Sequence, residues 1–167
     1  QPDIYGGFGA SFSWKWLSLS LAFTYSIGGD IYNYTSMNRN SFKTTFTAPD
    51  AEHIYNMWTK PGDVAKYPTP DYQHTQNQAC LVSDYWIEDG SFVRLSNAKL
   101  MFTMPYQVRQ KLRVRDLKFN IYGKNLLTWT NYSGNDPEFG GSVLAFGIDT
   151  GRYPRKREIG VGVTLGF

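Results

Sequence analysis

The sequence predicts an all-β fold whose antiparallel strands line the wall of a transmembrane barrel. Three observations carry that prediction. Apolar and small polar residues alternate with period two, the candidate strands mostly run to ten or eleven residues, and short connections alternate with very long ones. Successive side chains of a strand point to opposite faces, so period-two patterning marks strands with two unlike faces.

The first strand is expected over about 5–14, where Phe8, Ala10, Phe12 and Trp14 alternate with Gly7, Gly9, Ser11 and Ser13. Only Lys15-Trp16 separates it from the second, over about 17–27, which fits a tight hairpin. That second strand sets Leu17, Leu19, Leu21, Phe23 and Tyr25 against Ser18, Ser20, Ala22, Thr24 and Ser26. A third, over about 87–104, stops at Pro105, which cannot donate to a ladder. A fourth covers about 116–127, with Leu117, Phe119 and Ile121 opposite Lys118, Asn120 and Tyr122. The fifth covers about 157–167: Ile159, Val161, Val163, Leu165 and Phe167 alternate with Gly160, Gly162, Thr164 and Gly166. Helical periodicity is confined to a short stretch over about 50–58.

The connections are uneven. Residues 28–86 and 128–156 form long loops, whereas Lys15-Trp16 and Pro105–Arg115 are short. Long connections without structure of their own are uncommon in compact domains and usually functional or disordered. Alternating short turns and long loops is the sidedness of an outer-membrane barrel. Ten or eleven residues at about 3.3 Å reach roughly 33–36 Å. Tilted by about 45°, they cross about 25 Å, the height of the apolar band of such barrels. Small polar side chains on the second face suit a wide, wet lumen, because a small closed barrel fills its interior with bulky ones. The alternative is a secreted carbohydrate-binding β-sandwich, which alternates with the same period. The Ser/Gly/Thr face and the long loops weigh against it.

Composition narrows the class further. Aromatic residues make up 17% of the chain, which excludes intrinsic disorder. No run approaches the roughly 20 apolar residues of a spanning helix. The single Cys80 excludes an intrachain disulfide framework. A net charge of +3 is too small to indicate nucleic acid by itself. The chain opens Gln1-Pro2-Asp3 with neither initiator methionine nor signal peptide, as a processed terminus or an internal piece would.

The stretch Trp86-Ile87-Glu88-Asp89-Gly90-Ser91-Phe92-Val93-Arg94-Leu95-Ser96-Asn97-Ala98 resembles the SusC/RagA family of TonB-linked outer-membrane transporters. Further blocks agree in order: Tyr5-Gly6-Gly7-Phe8-Gly9, Gly123-Lys124-Asn125-Leu126-Leu127-Thr128-Trp129-Thr130, Tyr132-Ser133-Gly134-Asn135-Asp136-Pro137-Glu138, Tyr153-Pro154 and the strand ending at Phe167. The resemblance implies the last five strands of a 22-stranded barrel. The plug domain and the TonB-contacting segment are expected outside these residues. It also implies import of oligosaccharides or peptides across the outer membrane, with a SusD-like surface lipoprotein and the TonB complex as partners. Loops 28–86 and 128–156 would then lie outside the cell. The terminal pattern of Phe167, Leu165 and Val163 resembles the signal read by the barrel-assembly machinery; plainer is an interfacial anchor.

No catalytic site, metal site or cofactor is expected. Glu88 and Asp89 are adjacent and point to opposite faces of a strand, wrong for an acid/base pair. Asp136 and Glu138 flank Pro137 in a turn-rich loop, where turn chemistry accounts for the aspartate. His53, His74 and Cys80 lack zinc-ligand spacing, and Asp63, Asp71 and Asp84 lack that of a calcium loop. Asn33-Tyr34-Thr35 and Asn131-Tyr132-Ser133 read as chance matches to a glycosylation sequon. The run Arg152, Arg155, Lys156, Arg157 suits a solvated rim, or lipopolysaccharide phosphates, better than nucleic acid. Arg109, Lys111, Arg113 and Arg115 would mark the periplasmic edge. The long loops are rich in aromatic residues, which stack on sugar rings and apolar peptide side chains. Trp58, Tyr72 and Trp129 are the candidate ligand contacts, while Tyr85 and Trp86 read as interfacial girdle.

Overall fold

The computed structural model describes residues 1–40, 48–69, 83–138 and 147–167. A five-stranded antiparallel sheet is built from β1 (Ile4–Trp14), β2 (Leu17–Ile27), β5 (Phe92–Thr103), β6 (Asp116–Thr130) and β7 (Glu158–Gly166), paired in that order. The short strands β3 (Asp30–Tyr32) and β4 (Ile87–Asp89) form a separate two-stranded sheet. Among the described residues three short α-helices, α1 (Tyr34–Asn40), α2 (Ala51–Tyr55) and α3 (Tyr106–Leu112), and a 3-10 turn at Asp84–Trp86 lie between.

The alternation read in the sequence becomes two continuous faces. Direct pairing places Phe12, Leu19, Leu100, Ile121 and Val161 in one row across all five strands. Trp14, Leu17, Phe102, Phe119 and Val163 form the next row on that face. No second sheet covers these rows among the described residues: Phe12 is 66% exposed and Val161 79%. An exposed apolar surface of this extent marks a partner or a membrane, and a β-sandwich would have buried it. The opposite face is small and polar. Ser11 and Ser20 meet at 3.2 Å and Ser13 and Ser18 at 3.1 Å, so cross-strand hydroxyl pairs replace packing there. On β7 the absent side chain of Gly160 leaves room for the Tyr122 ring; a Cβ there would lie 2.4 Å from it.

Pairing is not perfectly regular. Between the Ala22/Asn97/Lys124 and Phe23/Leu95/Leu127 rows, β2 advances one residue, β5 two and β6 three. Ser96 is the extra residue on β5 and donates its hydroxyl to Ala22 O at 2.9 Å. On β6, Asn125 takes a left-handed φ of 51° and donates Nδ2 to Lys156 O at 3.0 Å. These bulges keep Leu95 and Leu127 on the apolar face. They also carry β6 to Thr130, beyond the expected end near residue 127.

The strand expected over about 87–104 is broken in two. Asp89 Oδ1 accepts the Ser91 N–H at 2.9 Å and the Ser91 hydroxyl at 2.6 Å, closing a turn at Gly90. Ile87–Asp89 therefore pairs with Asp30–Tyr32, away from the main sheet. Two helices lie where none was expected. Asn33 caps α1 by accepting the Ser36 N–H at 2.8 Å. α3 follows Pro105 and closes on Arg113 (φ 55°), with Arg113 N–H donating to Gln110 O and Val114 N–H to Arg109 O, both at 3.1 Å. α2 falls inside the expected helical stretch.

Candidate functional site

Both long loops return to the end of the sheet opposite the Lys15-Trp16 hairpin, and a polar framework ties them together there. Arg94, at that end of β5 and 2% exposed, pairs with Asp136 and lies 3.3 Å from Glu138. Asp136 also accepts the N–H groups of Glu138 and Arg155, each at 2.9 Å. Arg155 Nη2 reaches Glu138 at 2.7 Å. A second knot centres on Glu88, which accepts Asn33 Nδ2 at 2.8 Å, Ser133 N–H at 2.8 Å and Ser133 Oγ–H at 2.7 Å. A third centres on buried Asp149, which accepts Tyr132 O–H at 2.6 Å and Gly151 N–H at 2.8 Å. Buried carboxylates with several donors are satisfied and fix the backbone around them.

A cleft of about 620 Å³ lies above this framework. Its aromatic wall is a stack: the rings of His53 and Tyr67 are 3.8 Å apart, and Trp86 lies parallel to His53 at 6.1 Å. Tyr85 meets Trp86 edge-on at 4.8 Å. Charged groups rim it: Arg39 holds Asp50 at 3.1 Å, and Lys66 holds Glu52 at 2.7 Å. Flat aromatic surface beside hydrogen-bonding and charged groups is the chemistry of a binding cleft.

The environment shifts the ionisable groups. Hydrogen bonding from Asn40, with help from Arg39, holds the Asp50 carboxyl below its usual range. Lys66 and Tyr67 donate to Glu52 and lower it likewise. Burial lowers His53 and favours the neutral ring against its aromatic neighbours, outweighing the pull of Asp50 and Glu52. Burial, then the hydrogen bond to Asp149, pushes the Tyr132 phenol up, so it stays a donor at all physiological pH.

The ligand contacts expected from the sequence fall in different places. Trp58, 40% exposed, is outside the cleft lining and donates its backbone N–H to Tyr67 O at 2.8 Å. Trp129 pairs with Val93, itself opposite Tyr25, at the loop end of the apolar face. Tyr72 lies outside the described residues, as do His74, Cys80 and Asp71. Tyr85 and Trp86, expected at the girdle, stand in the cleft wall because the strand they precede is β4 of the small sheet. Val163 and Leu165 are on the apolar face, and Phe167 follows β7. Asn33, Tyr132 and Ser133, none of them a candidate site residue from the sequence, are nodes of the framework. Asp136 does more than shape a turn, since it neutralises a buried arginine. Among the described residues no cluster of His, Cys, Asp and Glu has metal-binding geometry.

No family model matches the chain. It is 32% identical over 168 residues to TonB-dependent receptor P39 of Formosa agariphila, an alignment covering 99% of this chain and 16% of that protein. With TonB-dependent receptor P3 of the same organism it shares 29% over 173 residues, covering 99% and 16%. Among solved structures, the RagAB peptide transporter superposes with a TM-score of 0.83 at 28% identity, over 99% of this chain and 17% of that one. The RagAB peptide importer in its open-open state gives 0.77 at 29% identity, over 100% and 17%. The chain thus spans about one-sixth of the length of these relatives. Over that stretch it is similar to TonB-dependent receptors and, in fold and sequence, to the RagAB transporter.

Proposed function

We propose that the chain supplies the last five strands of a 22-stranded outer-membrane barrel that imports nutrient oligomers, peptides foremost. The observation that carries this reading is the match over 99% of the chain to the RagAB peptide transporter, made by a sheet with one exposed apolar and one small polar face. In that setting the apolar face meets lipid, the polar face lines the lumen, and the long loops with their cleft face the outside. A SusD-like lipoprotein would dock over those loops, and the TonB complex would act through regions beyond this chain. The work is binding and gated passage, with no covalent step and no cofactor. Consistent with that, Glu88, Asp136 and Asp149 are engaged in holding the loops together. Trp58 and Tyr72 are offered as further ligand contacts, whereas Trp129 fits an interfacial role better. Phe167, with Leu165 and Val163, serves as the barrel-assembly signal.

Uptake in cells carrying the full-length receptor tests this. Deleting its gene should abolish uptake of labelled oligopeptides, and Tyr85→Ala should weaken uptake while the barrel still assembles. Loss of oligosaccharide uptake alone would move the substrate to glycans, for which the stacked His53, Tyr67 and Trp86 rings are also suited. Normal uptake of both would refute the import reading.

A further inference from the structure

The hairpin end of the sheet carries a cationic and aromatic rim that neither the cleft nor the lumen uses. Lys15 lies on the β1–β2 turn, and Arg109, Lys111, Arg113 and Arg115 on the connection that holds α3. Within segments 14–17, 104–116 and 164–167 the one carboxylate side chain is Asp116, which Arg109 Nη1 approaches at 3.3 Å. Large apolar and aromatic side chains are exposed among them: Trp14, Trp16, Tyr106 and Leu112 are each 45–63% exposed. Lys15 Nζ sits over the rings of both Trp14 and Trp16, at 5.2 and 5.6 Å.

Two of these cations occupy backbone positions that favour glycine. Lys15 has φ 52° and Arg113 has φ 55°, the latter at the left-handed residue that closes α3. Both cations stand there at a conformational cost. The apolar rows of the sheet run into the same rim through Trp14 on one side and Leu165 on the other.

We propose that this rim is a docking surface for anionic phospholipid. Headgroup phosphates of the adjoining leaflet would lie among Lys15, Lys111, Arg113 and Arg115, with Trp14, Trp16, Tyr106 and Leu112 in the interfacial layer. The inference rests on the barrel reading above, because the apolar face must already be in lipid for the rim to meet headgroups. Continuity with that face selects a bilayer over a soluble partner. Aromatic rings favour the headgroup level, and short helices with mixed apolar and basic residues lie in that plane. Each Lys or Arg near an anionic surface strengthens attraction about fivefold.

The test is native mass spectrometry of the delipidated full-length receptor, titrated with phosphatidylglycerol or phosphatidylcholine of identical chains. The receptor should prefer phosphatidylglycerol. The variant Lys15→Asn, Lys111→Gln, Arg113→Gly, Arg115→Gln should lower that preference at least about tenfold and leave phosphatidylcholine unchanged. The variant Lys99→Gln, Lys118→Gln, on the polar face, should leave both unchanged. Raising salt from about 0.05 to about 0.5 M on the unmodified receptor should weaken the preference several-fold, a readout independent of variant assembly. Equal binding of the two lipids, or a preference insensitive to salt, overturns the proposal. So does a preference retained by the four-site variant, or one lost by the polar-face variant. A receptor that imports substrate yet shows no lipid preference removes this inference alone; one that does not enter bilayers removes the barrel reading with it.

Discussion

Replacing Arg94 by Met should release the loop that follows β6 while leaving the wall intact. The guanidinium is 2% exposed and its main partner Asp136 8% exposed, so the pair sits where solvent cannot substitute for a lost partner. Met roughly conserves the volume and removes the charge. Among the described residues Asp136 then keeps the Glu138 and Arg155 N–H groups, each at 2.9 Å. Removing one partner of a buried ion pair costs about 3–5 kcal/mol. That corresponds to about two to three and a half orders of magnitude in a local opening equilibrium. The assay is hydrogen exchange at the Glu138 and Arg155 amides in the full-length receptor, because both donate to Asp136 and both are freed together. Asp136→Leu combined with Arg94→Met should cost less than the two single changes summed, since no unpaired charge remains between them. The exposed pair Lys66–Glu52 sets the contrast: Lys66→Ala should leave exchange at 138 and 155 and overall stability little changed, because solvent screens such a pair. Amide exchange at 138 and 155 unchanged in Arg94→Met would refute the claim that this pair anchors the loop.

Other consequences follow from the same geometry. Leu19→Lys or Val163→Lys should destabilise the assembled barrel by about 2–4 kcal/mol in denaturant titration, while Ser20→Lys on the polar face should change it little. Tyr132→Phe should cost about 1–3 kcal/mol, because buried Asp149 loses its 2.6 Å donor; faster exchange of the Gly151 amide reads it out. His53 titrates below its ordinary 6.5 because of burial, so the folded state binds fewer protons than the unfolded one. The stability it lends the cleft is therefore complete above about pH 6.5 and lost as pH falls from there through the lowered value. Exchange of the 50–67 amides should accelerate on acidification through that range, and His53→Phe should flatten the response.

What was legible in the sequence was the part governed by period two. The alternations at 8–14, 17–25 and 159–165 became the two faces of the wall, because strand geometry forces successive side chains apart. Period two is lost where the backbone departs from regular pairing. Leu126-Leu127 looked like a strand end, whereas the left-handed Asn125 inserts a bulge and the strand continues. Asp89-Gly90-Ser91, inside the third candidate strand, is a turn signal that an expectation built on alternation does not include. α1 hides from periodicity because seven residues show only two turns, yet its Asn33 cap was present in the sequence. The framework itself was not readable: Asn33, Glu88 and Ser133 meet across separations of 45 to 100 residues, and nothing local announces such contacts.

In the assembled barrel one face of this sheet should lie against lipid and the other against water. Nitroxide labels placed singly from Leu17 to Tyr25 in the full-length receptor, reconstituted in bilayers, test it most directly. Collision with oxygen, which concentrates in lipid, should peak at 17, 19, 21, 23 and 25, and collision with a water-soluble nickel chelate at 18, 20, 22 and 24. A profile without period two, or one with the two reagents exchanged, would contradict the account.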